Sequence, residues 1–96
     1  MMLDEEGMRA GTRNILDAAG GSVNIESANC CATRLRLCFF DLEKVDLPRL
    51  KTLEGSAGLL VKGREYQLVL GFKAASYCRL IRRAMESDNS PLYPLR

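Results

Sequence analysis

The segment Arg34-Leu35-Arg36-Leu37-Cys38-Phe39-Phe40 constrains the fold of this chain more than any other. Leu35, Leu37 and Phe39 alternate with Arg34, Arg36 and Cys38. A period of two belongs to a strand with one buried face, because successive side chains leave opposite sides of the pleat. Arg34 and Arg36 must therefore point to the same side of a sheet. Cys38 joins them by parity, for which the spacing offers no reason. The strand is read as ending near Asp41.

Around this strand the rest of the chain falls into place. Residues 5–19 predict a helix, with Met8, Gly11, Thr12, Ile15, Leu16 and Ala19 at helical spacing. Gly20-Gly21 stops it, and Ser22 and Asn24 lead into a weak strand, "IESANC". Asp46 is placed to cap a second helix with Pro48 in its first turn. Leu47, Leu50 and Leu53 give that helix an apolar stripe, and Gly55 ends it. "GLLVKGREYQLVLG" reads as a hairpin: Leu59 to Val61 and Glu65 to Leu70 around a turn at Lys62-Gly63-Arg64. A last helix runs from about Lys73 to Glu86, with Ala74, Tyr77, Cys78, Ile81, Ala84 and Met85 on one face. The expected architecture is α+β: a four-stranded, mainly antiparallel sheet of two hairpins, with three helices covering one face, in the order αββαββα. Ninety-six residues suffice for one domain spanning 1–96, with its core at about 12–86 and a flexible tail at 87–96.

Composition narrows the function. The formal net charge is only +2, so no general nucleic-acid footprint is indicated. Arg79, Arg82 and Arg83 form a local basic patch, better explained as a solvated helix face. No apolar run approaches the roughly 18 residues of a membrane helix. The N-terminus "MMLDEEGMRAG" is acidic and lacks an export signal, so the chain is expected in the cytosol, with reduced thiols. There are four cysteines and no histidine. No C-x-x-C pair occurs, so the expected metal content is none.

The chemistry concentrates in "CCATRLR", residues 30–36. Cys30 and Cys31 cannot both face one site if they continue the strand. Cys31 lies nearer the turn, where the N–H groups of Ala32, Thr33 and Arg34 can converge as an anion-binding nest. The Thr33 hydroxyl can donate another hydrogen bond, and the planar forks of Arg34 and Arg36 suit phosphate oxygens. Such surroundings favour a thiolate, and they stabilise charge on a phosphoryl group in transit. The residues alone leave two readings open: Cys31 as a nucleophile, or a buried structural thiol beside wet-face arginines.

"CATRLR" resembles the phosphocysteine motif of the IIB domain of the bacterial sugar phosphotransferase system, in its glucose superfamily. "GGSVNI" is similar to that family's glycine pair and entry to the first strand. "DLEKVD" resembles its linker before the middle helix, and "LKTLEGSAGLLVKGREYQLVLG" its second hairpin. The likeness covers about residues 12–85. Details of "NCCATRLRL" with "KTLEG" look like the N-acetylmuramate branch, and "CATRLR" with "KVD" like the β-glucoside and sucrose branch.

The resemblance implies a phosphoryl carrier. Cys31 would accept the group from a phosphohistidine on a IIA protein or domain, then pass it to a sugar bound in a membrane IIC partner. Ala32, Thr33, Arg34 and Arg36 would surround the phosphate, with Gln67 and Cys30 at the partner interface. No cofactor is implied, since arginines and amides can neutralise charge that metals handle in kinases. The chain would work in the cytoplasm, at the inner face of the membrane when joined to IIC. The alternative is a regulatory module that sequesters a transcriptional repressor according to its phosphorylation state.

Overall fold

In a computed structural model, which describes the backbone of residues 2–89 and the side chains of residues 7–87, the alternation at 34–39 sorts the strand into two faces. Leu35, Leu37 and Phe39 are buried, while Arg34, Arg36 and Cys38 are half-buried on the opposite side. The elements follow in the order α1 (Met2–Ala19), β1 (Ile25–Cys30), β2 (Arg34–Phe39), α2 (Leu47–Lys51), β3 (Leu59–Lys62), β4 (Glu65–Val69) and α3 (Ala74–Asn89). Short 3-10 turns occupy Ser22–Asn24, Leu42–Lys44 and Gly71–Lys73. This is the expected α+β order.

The four strands form one sheet in the spatial order β1-β2-β4-β3, with every neighbouring pair antiparallel. Strand β2 is central, and its partners set the site. Arg36 lies opposite Asn29 on β1 and Gln67 on β4; Arg34 lies opposite Val69, and Cys38 opposite Glu65. Gly63 turns the β3–β4 hairpin with φ +63°, a conformation in which a Cβ would be strained. On the other face, Leu35, Leu37, Phe39, Tyr66 and Leu68 pack with Ile15 and Ala18 of α1, Leu50 of α2 and Ile81 of α3. Phe39 and Tyr66 meet as tilted rings with centroids 5.5 Å apart.

Three departures from the sequence reading concern helix ends, the first being that α1 begins at Met2 rather than at residue 5. Asp46 does cap α2, its carboxylate accepting from the Arg49 N–H at 3.1 Å. Yet the helix closes after Lys51 rather than at Gly55. The Thr52 hydroxyl donates to the Pro48 carbonyl at 3.0 Å, competing with continuation of the helix. Leu53 still reaches the core from the turn that follows. Helix α3 runs on to Asn89, while residues 90–96 of the expected tail lie outside the described residues.

A polar clamp fixes the corner where α1, β1 and β2 meet. Asn24 is buried; its Nδ2 donates to the carbonyls of Ala19 at 2.7 Å and Asp41 at 2.9 Å. Its Oδ1 accepts from the Asp41 N–H at 2.9 Å. This amide therefore ties the end of α1 and the exit of β2 to the entry of β1. The hairpin that carries Cys31 leaves the far end of those two strands.

Candidate active site

Strands β1 and β2 are joined by a tight loop. Cys30 pairs with Leu35, and the Cys31 N–H donates to the Arg34 carbonyl at 3.0 Å. Ala32 and Thr33 form the exposed tip. The tip is anchored from a second direction: the Thr33 carbonyl accepts from both the Leu70 and Gly71 N–H groups, each at 3.0 Å. The Thr33 and Arg34 N–H groups act on the Cys31 sulfur beside this anchor.

The thiol is half-exposed, and its pKa lies below that of an ordinary cysteine. The Thr33 N–H is the largest cause, donating toward the sulfur. Partial loss of water opposes it, and the Arg34 N–H and the Arg36 guanidinium reinforce it, the latter by hydrogen bond and by charge. The Nε of Arg36 is buried and, among the described residues, has no acceptor. A buried, charged donor without an acceptor is costly to leave unmade and receptive to an arriving anion.

The two arginines divide their roles. Arg36 approaches the thiol, whereas the Arg34 side chain turns to Gln67, its Nη1 donating to Oε1 at 3.2 Å. Gln67 is only 3% exposed, and its Nε2 donates to the Glu65 carboxylate at 2.8 Å. Ala32 lies at the loop tip, and the Thr33 hydroxyl side chain is exposed there.

Cys30 does not share this site. Its pairing with Leu35 directs it to the helix side of the sheet, where it borders a groove with Cys78, Ala75, Arg79, Arg82 and Arg83 of α3. Burial pushes the Cys78 thiol up, with Arg82 acting against that shift. Arg82 reaches across the edge of the sheet, its Nε donating to the Ala28 carbonyl at 2.7 Å and Nη2 to Asn29 Oδ1 at 2.6 Å. One guanidinium is thus engaged at the edge of β1 rather than in a basic patch. No cluster of His, Cys, Asp or Glu among the described residues has metal-site spacing.

Two neighbours of the site were not singled out in the sequence. Glu65 could have been found from its parity with Gln67 on β4. Phe72, 86% exposed, follows directly on the Gly71 that holds the thiol loop. Its only signal was an aromatic residue beside a strand-terminating glycine.

Residues 13–46 match the family model described as phosphotransferase system, EIIB. The fold is similar to a crystal structure of one domain of the PTS system IIabc component from Clostridium difficile, with a TM-score of 0.67 and 23% identity over 81% of each chain. Among the described residues, no helix is long and apolar enough to cross a membrane. The matched segment holds Cys31, Arg34 and Arg36, and over it the chain is similar to the EIIB domains of the phosphotransferase system.

Proposed function

We propose that Cys31 carries the phosphoryl group in transfer from a IIA phosphohistidine to a sugar held by a membrane IIC partner. In the first step the Cys31 thiolate attacks phosphorus, an S–P bond forms, and the N–P bond breaks with its electron pair returning to the histidine ring. In the second, a sugar hydroxyl attacks the phosphocysteine. The S–P bond breaks, sulfur leaves as thiolate, and the hydroxyl proton passes to solvent or a partner base. The observation that carries this reading is the convergence of the Thr33 and Arg34 N–H groups and the Arg36 guanidinium on one half-exposed sulfur. The same donors that favour thiolate can hold the phosphoryl oxygens, and they favour thiolate as leaving group in the second step.

Ala32 supplies the exposed tip that lets a donor histidine approach, and Thr33 adds its hydroxyl to the phosphoryl oxygens. Arg34 rests on the uncharged amide oxygen of Gln67 through a 3.2 Å hydrogen bond, and it can exchange that acceptor for an anionic phosphate oxygen when phosphate arrives. Cys30 faces the other side of the sheet and takes no phosphoryl group. The domain would act on the cytoplasmic side, where phosphohistidine donors and reduced thiols coexist.

The test is phosphorylation by a phosphohistidine-bearing IIA protein, followed by intact mass and peptide mapping. The expected result is a gain of one phosphoryl group on the peptide containing Cys31, retained in Cys30→Ser and lost in Cys31→Ser. Label that survives Cys31→Ser would refute the assignment.

A further inference from the structure

We infer that Glu65 is a positioning residue for phosphoryl transfer: it fixes the orientation of the Gln67 amide and thereby the rest position of the Arg34 guanidinium. The inference rests on the carrier reading of Cys31 for its kinetic consequence, though not for its geometry.

The argument is one of donors and acceptors. An ionised carboxylate only accepts hydrogen bonds, and a guanidinium only donates them. Gln67 lies between the two. Its nitrogen faces Glu65 at 2.8 Å and its oxygen faces Arg34 at 3.2 Å. A glutamine amide has no intrinsic preference between its two ends. Here the acceptor-only neighbour forces the NH2 group one way, which leaves Oε1 toward Arg34. With the amide reversed, an N–H would face the guanidinium and an oxygen would face the carboxylate, so both contacts would be lost. Glu65 and Gln67 share a face of β4 by strand parity, and β2 presents Arg34 and Arg36 on that same face. The side chain of Gln67 is almost wholly buried, so water is poorly placed to substitute for Glu65.

The consequence is electrostatic as well as geometric. Glu65 polarises the amide, which strengthens Oε1 as an acceptor for Arg34. It does so from the far side of a neutral group, so the carboxylate does not itself bond the Arg34 guanidinium. Arg34 is thereby held on Gln67 without a salt bridge that the phosphoryl group would have to break.

Three variants separate this role from simple packing. Glu65→Gln retains an acceptor for the Gln67 NH2 group and should transfer phosphoryl within about twofold of the parent. Glu65→Leu removes the acceptor, and Glu65→Lys places a donor there and favours the reversed amide. Both should slow transfer from a phosphorylated IIA protein by roughly tenfold at saturating donor, with KM for the donor little changed; tenfold corresponds to about 1.4 kcal/mol at the barrier. Nitrogen-15 NMR of the unphosphorylated protein supplies a second readout that needs no transfer. In Leu and Lys variants the Gln67 NH2 and Arg34 guanidinium signals should shift and exchange faster with solvent, while in Gln they should stay near parent positions. Unmoved Arg34 and Gln67 signals in Glu65→Lys, in a protein that remains folded, would overturn the inference. So would normal transfer rates in both the Leu and Lys variants. If the parent itself takes no phosphoryl group, the carrier reading fails, and the NMR signals still decide the positioning role.

Discussion

Replacing Asn24 should reveal how strongly one buried amide supports the frame of the thiol hairpin. Its side chain makes three hydrogen bonds to backbone, at 2.7, 2.9 and 2.9 Å, joining the end of α1 to the exit of β2. Each is worth about 1 kcal/mol net, so Asn24→Ala should cost about 3 kcal/mol. Leaving the Ala19 and Asp41 carbonyls poorly hydrated would push the figure up. Against a total stability of roughly 5–15 kcal/mol for a domain, this is a large fraction. The melting temperature should fall by roughly 12–24 °C, from 4–8 °C per kcal/mol at this size. Urea unfolding should show a lower midpoint with unchanged m-value. Asn24→Asp makes the comparison sharper. It keeps nearly the same shape and one acceptor, but it cannot donate to either carbonyl and sets a carboxylate against them. It should be at least as damaging as alanine at neutral pH. A loss below about 1 kcal/mol for alanine, or a well-tolerated aspartate, would refute the clamp.

Other consequences are open to measurement. Gly20 has φ +91°, and a Cβ there would lie 2.8 Å from the Lys44 carbonyl oxygen, so Gly20→Ala should cost on the order of 1–3 kcal/mol in thermal or urea unfolding. Arg82→Leu removes both hydrogen bonds that cover the edge of β1. Amide exchange along Ile25–Cys30 should accelerate, and self-association, read by light scattering, should rise as that edge opens. Cys31 has a lowered pKa, so more of it is thiolate at any pH below the ordinary thiol midpoint. Its alkylation rate, followed by peptide mass, should therefore rise at lower pH than that of free cysteine, near 8.5. Arg36→Gln should move that profile upward, whereas no upward movement would remove Arg36 from the electrostatics of the thiol.

Much of this arrangement was readable from local patterns. Period-two alternation at Arg34–Phe39 gave both faces of β2, and the parity rule separated Cys30 from Cys31 before their partners were known. Asp46 and Pro48 announced the start of α2 because caps act within one turn. Its early end was not visible, since the leucine stripe continued to Leu53 although the backbone had already turned. The tight turn after Cys31 was legible from the strand ending before a short connection, and it leaves Ala32 and Thr33 exposed. The split between the arginines was not. It depends on Gln67 and Glu65, more than twenty-five residues away in sequence, arriving opposite β2 through the antiparallel register. The anchoring of the Thr33 carbonyl by Leu70 and Gly71 was hidden for the same reason. Arg82 illustrates the limit of charge patterning: it falls within a basic run, yet the fold uses it on backbone and amide oxygens at a strand edge.

The central claim is that one surface sulfur carries the phosphoryl group within a cradle of backbone amides and the Arg36 guanidinium. It is tested most directly by comparing nitrogen-15 NMR spectra of the protein before and after phosphorylation, with phosphorus-31 detection of the linkage. The account predicts a thiol-linked phosphorus signal together with the largest amide-proton shifts at Thr33 and Arg34 and a newly bonded Arg36 Nε–H. A phosphorus signal from another linkage, or a Cys31 adduct that leaves those three N–H groups unmoved, would contradict it.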